Sequence, residues 1–73
     1  MIHASDIHEL TKSDEPVTVV DVTDVPISGA AGSLHWIIDD QTGEHVFNVC
    51  GFGFVADNVE KIDHDARTIW IRP

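Results

Sequence analysis

The sequence predicts a mainly β protein of the small α+β class, with one short N-terminal helix and about five mostly antiparallel strands. Three observations predict it. β-Branched and aromatic residues dominate several runs after residue 16, short turn signals separate these runs, and strands do not alternate with helices. We expect a twisted sheet or a partly open small barrel within one acidic domain, residues 1–73.

The N-terminal segment predicts the one helix, over residues 6–12. Ser5 is a suitable N-cap, and the acidic residues after it suit the first turn of a helix. Pro16 ends any helix that precedes it. Ile7 and Leu10 are three residues apart, so we expect both on one face of this helix.

Residues 17–25 are rich in β-branched side chains and predict the first strand. The alternation of apolar and polar residues breaks at Val19 and Val20, which predicts a bulge or burial on both faces. The next segment, PISGAAGS at residues 26–33, predicts a loop that is free to contact a partner.

The clearest hairpin spans residues 34–50. The sequence Asp-Gln-Thr-Gly at residues 40–43 predicts a type I turn closed by a glycine bulge. Both faces of this hairpin carry apolar residues, so we expect it at the centre of the sheet. The predicted register pairs Asp40 with Glu44, Ile37 with Phe47, and His35 with Val49.

The C-terminal part predicts one strand segment and a second hairpin. GFGFV, residues 51–55, continues the preceding strand or starts a new one; Phe52 and Phe54 share one face and the glycines indicate a bend. Residues 58–63 and 67–72 then form a second hairpin. Ile69 and Ile71 share one face of its last strand, and Trp70 lies on the other.

The charge balance is strongly acidic. The chain has 13 Asp and Glu against 4 Lys and Arg, which gives a formal net charge of -9. Such a surface repels nucleic acid, which is bound through Lys and Arg, and attracts basic partners. The alternative interpretation is that the charge serves solubility or adaptation to a salty cytoplasm.

The GFGFV string resembles the aromatic motif of RNA-recognition-motif domains, and with Phe47 and Asn48 before it also resembles a cold-shock motif. In such domains the aromatic rings stack on bases and a cation contacts phosphate. This chain departs from the motif, because Cys50 stands at the basic position and Asp57 at the far aromatic position. We therefore interpret the phenylalanines as core residues. The alternative is RNA or single-stranded nucleic-acid binding by a small β-barrel through Phe52, Phe54 and Trp70.

No catalytic residue, cofactor or metal site is predicted. Cys50 is the one cysteine, so neither an internal disulfide nor a Cys-Cys zinc motif can form. In the predicted register His35 and His45 share a face but lie roughly 13 Å apart, too far to bind one ion. Asp39 is expected opposite His45. Asp39 and Asp40 are adjacent and do not form an acid–base pair.

These observations favour a non-enzymatic protein–protein interaction module with a basic partner. Its sharpest form is an acidic inhibitor that occupies a nucleic-acid-binding surface, as small phage anti-defence proteins do. A structural or assembly subunit is a further alternative, and the small core also fits a homodimer. The predicted partner-binding acids are Asp39, Asp40, Glu44, Asp57, Glu60, Asp63 and Asp65.

The expected location is the cytoplasm. The first ten residues lack the basic and apolar regions of a signal peptide, and the lone cysteine fits a reducing compartment. No apolar run approaches the roughly 20 residues that span a bilayer, so no membrane partner is expected.

Overall fold

The computed structural model describes residues 2–24 and 28–72. Over these residues one short helix precedes seven strands in two open sheets, which confirms the predicted mainly β, small α+β class. The first sheet has the strand order β2-β1-β7-β6, and the second has the order β3-β4-β5. The strands are β1 (Val17–Asp21), β2 (Ser28–Gly32), β3 (Leu34–Ile38), β4 (His45–Val49), β5 (Phe52–Val55), β6 (Val59–Asp63) and β7 (Thr68–Ile71).

The first sheet joins the two ends of the chain, because β1 pairs with β7 in parallel. Val19 lies opposite Ile69, and both are fully buried. Of the two alternatives predicted at Val19 and Val20, the bulge is wrong, since β1 pairs with β2 in regular register. Val19 is buried on one face of β1 and Val20 is partly buried on the other. A register shift occurs instead in β6, between Val59 and Lys61.

β1 ends four residues earlier than predicted. The Oδ1 atom of Asp21 accepts hydrogen bonds from the N–H (2.9 Å) and the hydroxyl (2.6 Å) of Thr23. Such local bonds from an aspartate turn the chain and end the strand. These hydrogen bonds lower the pKa of the Asp21 carboxyl.

The prediction of a loop at residues 26–33 is wrong where the structure describes it, because Ser28–Gly32 forms β2 against β1. Its small residues have weak strand propensity, and pairing with β1 overrides it. A Cβ atom on Gly29 would lie 2.5 Å from the carbonyl oxygen of Val19, so this close approach requires glycine. Residues 25–27 lie outside the described residues.

The hairpin of β3 and β4 forms as predicted, but with a register one residue away from the prediction. Asp39 is the cause: its Oδ1 accepts from the N–H groups of Gln41 (2.8 Å) and Thr42 (3.3 Å), and its own N–H donates to the Glu44 carbonyl (2.8 Å). Four residues therefore form the loop instead of three, and Asp40 has no strand partner. The pairs become Trp36 with Phe47, Ile37 with Val46, Ile38 with His45, and His35 with Asn48.

A two-residue turn joins β4 to β5. Cys50 and Gly51 both have positive φ, 52° and 87°, as a type I′ hairpin turn requires. Val49 lies opposite Phe52, and Phe47 lies opposite Phe54. The first glycine of GFGFV is therefore a turn residue, and the phenylalanines of β5 face the core.

The helix α1 spans Ala4–His8 and continues as a 3₁₀ helix over Glu9–Lys12, instead of the single helix predicted over residues 6–12. Ser5 lies inside the first turn and is not the N-cap. Asp6 accepts a hydrogen bond from the His3 N–H (2.8 Å), which satisfies the start of the helix. Ile7 and Leu10 are buried, as their spacing predicts.

The core lies between the two sheets and the helical segment. Phe47 and Phe54 stack with ring centroids 5.8 Å apart, and the partly buried Phe52 packs against the core. The fully or almost fully buried apolar residues are Ile7, Leu10, Val17, Val19, Phe47, Val49, Phe54, Val59, Ile69 and Ile71.

Arg67 fastens the helical segment to the first sheet. It lies in the turn between β6 and β7 with a positive φ of 49°. Its guanidinium donates to the carbonyls of Leu10 (2.9 Å), Glu15 (2.7 Å) and Pro16 (3.2 Å), with a longer bond to Ser13 (3.4 Å). These carbonyls belong to the end of the 3₁₀ helix and to the segment that leads into β1. One side chain therefore supplies the hydrogen-bond donors for most of the carbonyls in this connection.

Replacing Arg67 by alanine is expected to lower the free energy of unfolding by about 2 kcal/mol, because hydrogen bonds to a charged donor are lost together. Arg67→Lys should recover little of this loss, since an ammonium cannot reproduce the planar arrangement of donors. Urea unfolding measures both values.

Arg72→Ala is the matched control for this prediction. Arg72 makes an exposed ion pair with Glu60 (2.7 Å), and such pairs contribute about 0–1 kcal/mol. Equal losses from the two alanine substitutions would contradict the anchoring role of Arg67.

Candidate functional site

The most unusual surface feature is strand β3, which forms one edge of the second sheet. Three consecutive large apolar residues are exposed on it: Trp36 at 44%, Ile37 at 67% and Ile38 at 50%. Soluble proteins usually blunt an edge strand with charge, proline or a bulge, because an open apolar edge pairs with other chains. An exposed apolar edge of this kind is typical of an interaction site.

The apolar residues of β3 lie on both faces of the sheet. Trp36 shares the core face with Phe47 and Phe54, at the uncovered end of that row. Ile37 lies on the opposite face, in a row with Val46 and Val55. A chain laid along β3 would therefore meet apolar side chains above and below the sheet.

The backbone of β3 also has an open side. The N–H of Asp39 bonds to Glu44 across the hairpin, and hydrogen-bonded pairs alternate along an antiparallel ladder. His35 and Ile37 therefore direct their N–H and C=O groups toward β4. Leu34, Trp36 and Ile38 direct theirs away from it. Within residues 2–24 and 28–72, no hydrogen bond from another residue satisfies these outward groups.

Carboxylates surround the Ile38 end of β3. The β3–β4 loop carries Asp39, Asp40 and Glu44, which we call the acidic tip. The four cations of the chain are engaged elsewhere: Lys12 with Glu9, Lys61 with the Trp70 ring, Arg67 with backbone carbonyls, and Arg72 with Glu60. The negative charge of the acidic tip is therefore uncompensated by Lys or Arg.

The Leu34 end of β3 borders an open cleft of about 300 Å³. Asp14 and Glu15 belong to its lining, together with hydroxyl-bearing residues and His35. Acidic residues thus lie near both ends of the exposed strand. The full lining is Thr11, Ser13, Asp14, Glu15, Ser33, Leu34 and His35.

Under Trp36 lies a pair of histidines that sequence reasoning did not bring together. His8 Nε2 and His45 Nδ1 are 2.9 Å apart, so one ring donates a hydrogen bond to the other. The His45 ring stacks on Trp36 at 5.5 Å, and the His8 ring meets Trp36 edge-on at 4.5 Å. Partial burial, and secondly the charge of His45, lower the pKa of His8.

The predicted partner-binding acids form two groups on different sheets. Asp39, Asp40 and Glu44 form the acidic tip in the second sheet. Asp57 lies in the short 3₁₀ helix Ala56–Asn58 before β6, and the remaining members lie in β6 or the turn after it: Glu60, Asp63 and Asp65.

The three aromatic residues of the nucleic-acid alternative are not brought together on one surface. Phe54 is buried and Phe52 packs against the core. Trp70 lies in the other sheet, on the face opposite Ile69 and Ile71, with the Lys61 ammonium 4.8 Å from its ring centroid.

Cys50, expected in a strand, is instead exposed in the β4–β5 turn. His45 contacts His8, and Ile38, not Asp39, lies opposite it. In the described part of the chain no group of three or more His, Cys, Asp or Glu side chains could hold a metal ion. Among the same residues, no helix is long and apolar enough to cross a membrane.

Comparison of the chain with protein-family models, curated proteins and solved structures finds no match. The arrangement around β3 therefore has to be interpreted from its own chemistry. It combines apolar side chains, unpaired backbone groups and carboxylates, which together suit the binding of another polypeptide.

The His8–His45 pair predicts a pH dependence of stability. The pKa of His8 in the folded chain lies below its ordinary value of 6.5, so the unfolded chain binds more protons below that pH. Stability should then be complete above about pH 6.5 and fall as the pH drops toward the lowered pKa.

Thermal unfolding at about pH 7.5 and about pH 5 measures this effect. The fall in melting temperature should be smaller in His8→Gln than in the parent chain. His64→Gln is the control, because His64 is exposed in the β6–β7 turn. An unchanged pH dependence in His8→Gln would show that the pair does not titrate as described.

Proposed function

We propose that this protein is a non-enzymatic protein–protein interaction module that binds a basic partner protein at strand β3. One observation carries the proposal: Trp36, Ile37 and Ile38 are 44–67% exposed in succession on an edge strand that pairs on one side only. Burying these side chains against a partner would stabilise the complex through the hydrophobic effect.

Charge determines which partner suits this surface. The acidic tip lies at one end of β3, Asp14 and Glu15 lie near the other, and the whole chain has a net charge of -9. A partner with Lys and Arg around an apolar centre is complementary to this pattern. Attraction between opposite charges accelerates association, and added salt weakens it.

A sharper form of the proposal is that the module inhibits its partner. Basic surfaces on proteins often bind nucleic acid, and an acidic module that occupies such a surface would block that binding. We place this activity in the cytoplasm, where the free thiol of Cys50 would stay reduced.

Charge reversal at the acidic tip tests the proposal. Asp40 and Glu44 are exposed and make no side-chain ion pair, so Asp40→Lys with Glu44→Lys should leave stability within about 0.5 kcal/mol. The immobilised parent chain is expected to capture basic proteins from a cell lysate, and the doubly reversed variant to lose them. Association of a purified captured protein should slow by about tenfold or more.

Asp57→Lys with Asp65→Lys is the matched control. It changes the net charge equally, at two exposed acids in the 3₁₀ helix before β6 and in the turn after it. The sequence also predicts these two acids as partner-binding residues, but our proposal confines the contact to β3 and its ends, so this variant should leave capture largely intact. Ile37→Ser should weaken capture without altering the charge. Capture that survives the tip reversal, that ignores ionic strength, or that ribonuclease abolishes would contradict the proposal.

A further inference from the structure

We propose that β3 binds its partner by strand addition: an extended basic segment of the partner pairs with the open backbone edge at Leu34, Trp36 and Ile38. This inference rests on the proposed function and names the mode of binding. Strand addition uses main-chain hydrogen bonds for affinity and the alternating side chains for specificity.

The backbone carries the first part of the argument. The 2.8 Å bond from Asp39 to Glu44 determines which residues of β3 bond to β4. Leu34, Trp36 and Ile38 therefore direct an N–H and a C=O to the open side. The β4–β5 turn supports this alternation independently. It makes Val49 and Phe52 a hydrogen-bonded pair, which directs the neighbouring Asn48 toward His35.

The side chains specify the occupant. An added strand would place alternate residues beside Trp36 and Ile38 on one face of the sheet and beside Ile37 on the other. Apolar residues therefore suit its centre. Carboxylates at the acidic tip, and Asp14 and Glu15 in the cleft near Leu34, suit Lys or Arg at both of its ends.

The same charges disfavour a second copy of this chain as the occupant. Antiparallel pairing of two β3 strands would bring the acidic tip of one copy toward Asp14 and Glu15 of the other. Carboxylates would then face carboxylates, which opposes association at low salt.

The edge strand β6 of the first sheet differs from β3, because it carries the charged residues Glu60, Lys61 and Asp63. Charged residues of this kind commonly protect an edge strand from pairing.

Amide hydrogen exchange tests strand addition directly. The probe is a synthetic peptide with a pair of lysines at each end and alternating valine and threonine between them. N-methylation of every second residue leaves it one pairing edge and prevents its growth into an extended sheet, and the lysines oppose pairing of two peptides. In the free protein the amides of Trp36 and Ile38 should exchange quickly and that of Ile37 slowly, because Ile37 bonds to β4.

On addition of this peptide, exchange at Trp36 and Ile38 should slow by at least about tenfold, since a hydrogen-bonded amide exchanges through opening. A peptide N-methylated at every residue has no donor on either edge, and its dissociation constant should be at least about tenfold higher. Replacing the lysines by glutamate should also abolish binding.

The outcomes separate this inference from the proposed function. If the lysine peptide binds but the Trp36 and Ile38 amides exchange at their free rates, strand addition is wrong, while binding at β3 through side chains stands. Absence of binding by the lysine peptide also overturns strand addition. Loss of lysate capture in the tip-reversed variant is measured separately and decides the proposed function. If the β3 amides become protected as the concentration of the protein itself is raised, without peptide, a second copy of this chain is the occupant. That result would overturn the proposal that a basic segment of a partner binds there.

Discussion

The guanidinium of Arg67 is the contact on which the arrangement of this small chain most depends. It binds backbone carbonyls from Leu10 to Pro16, at distances between 2.7 and 3.4 Å, from a turn at the far end of the sequence. This contact sets where the helical segment ends and β1 begins. Ile7 and Leu10 then cover the core, and β1 lies beside β7. A short chain buries a small hydrophobic core, so packing its N-terminal segment against its C-terminal strand is important for stability.

Two sheets give the chain more edge strands than one continuous sheet would, and these edge strands carry different kinds of side chain. β2 is built of small residues and β6 carries charges. β3 alone among the described strands presents consecutive large apolar residues that are more than one-third exposed. Such exposure favours association with another chain, and the surrounding carboxylates limit which chain can approach. In our proposal, β3 and the acidic residues near its ends therefore both bind the partner and disfavour association between copies of this chain.

Local signals in the sequence predicted much of the fold and little of the candidate site. The mainly β class, the shared burial of Ile7 and Leu10, and the β6–β7 hairpin follow from residue spacing and propensity. The error at β3 came from Asp39, whose side chain closes a loop one residue longer and reverses the faces of Trp36 and Ile37. An aspartate just before a turn indicates that its side chain accepts hydrogen bonds from the turn, and it could have predicted the longer loop. The parallel pairing of β1 with β7 and the contact of His8 with His45 depend on tertiary packing, which spacing along the chain does not encode.

The central claim is that β3 becomes covered when the module binds its partner, and Trp36 is its natural reporter. In a Trp70→Phe variant Trp36 is the single tryptophan, and it is 44% exposed in the free chain. Its fluorescence emission should shift to shorter wavelength when a purified basic partner is added, because burial removes the indole from water. An emission maximum that stays fixed while the partner binds would contradict the claim and place the contact elsewhere on the protein.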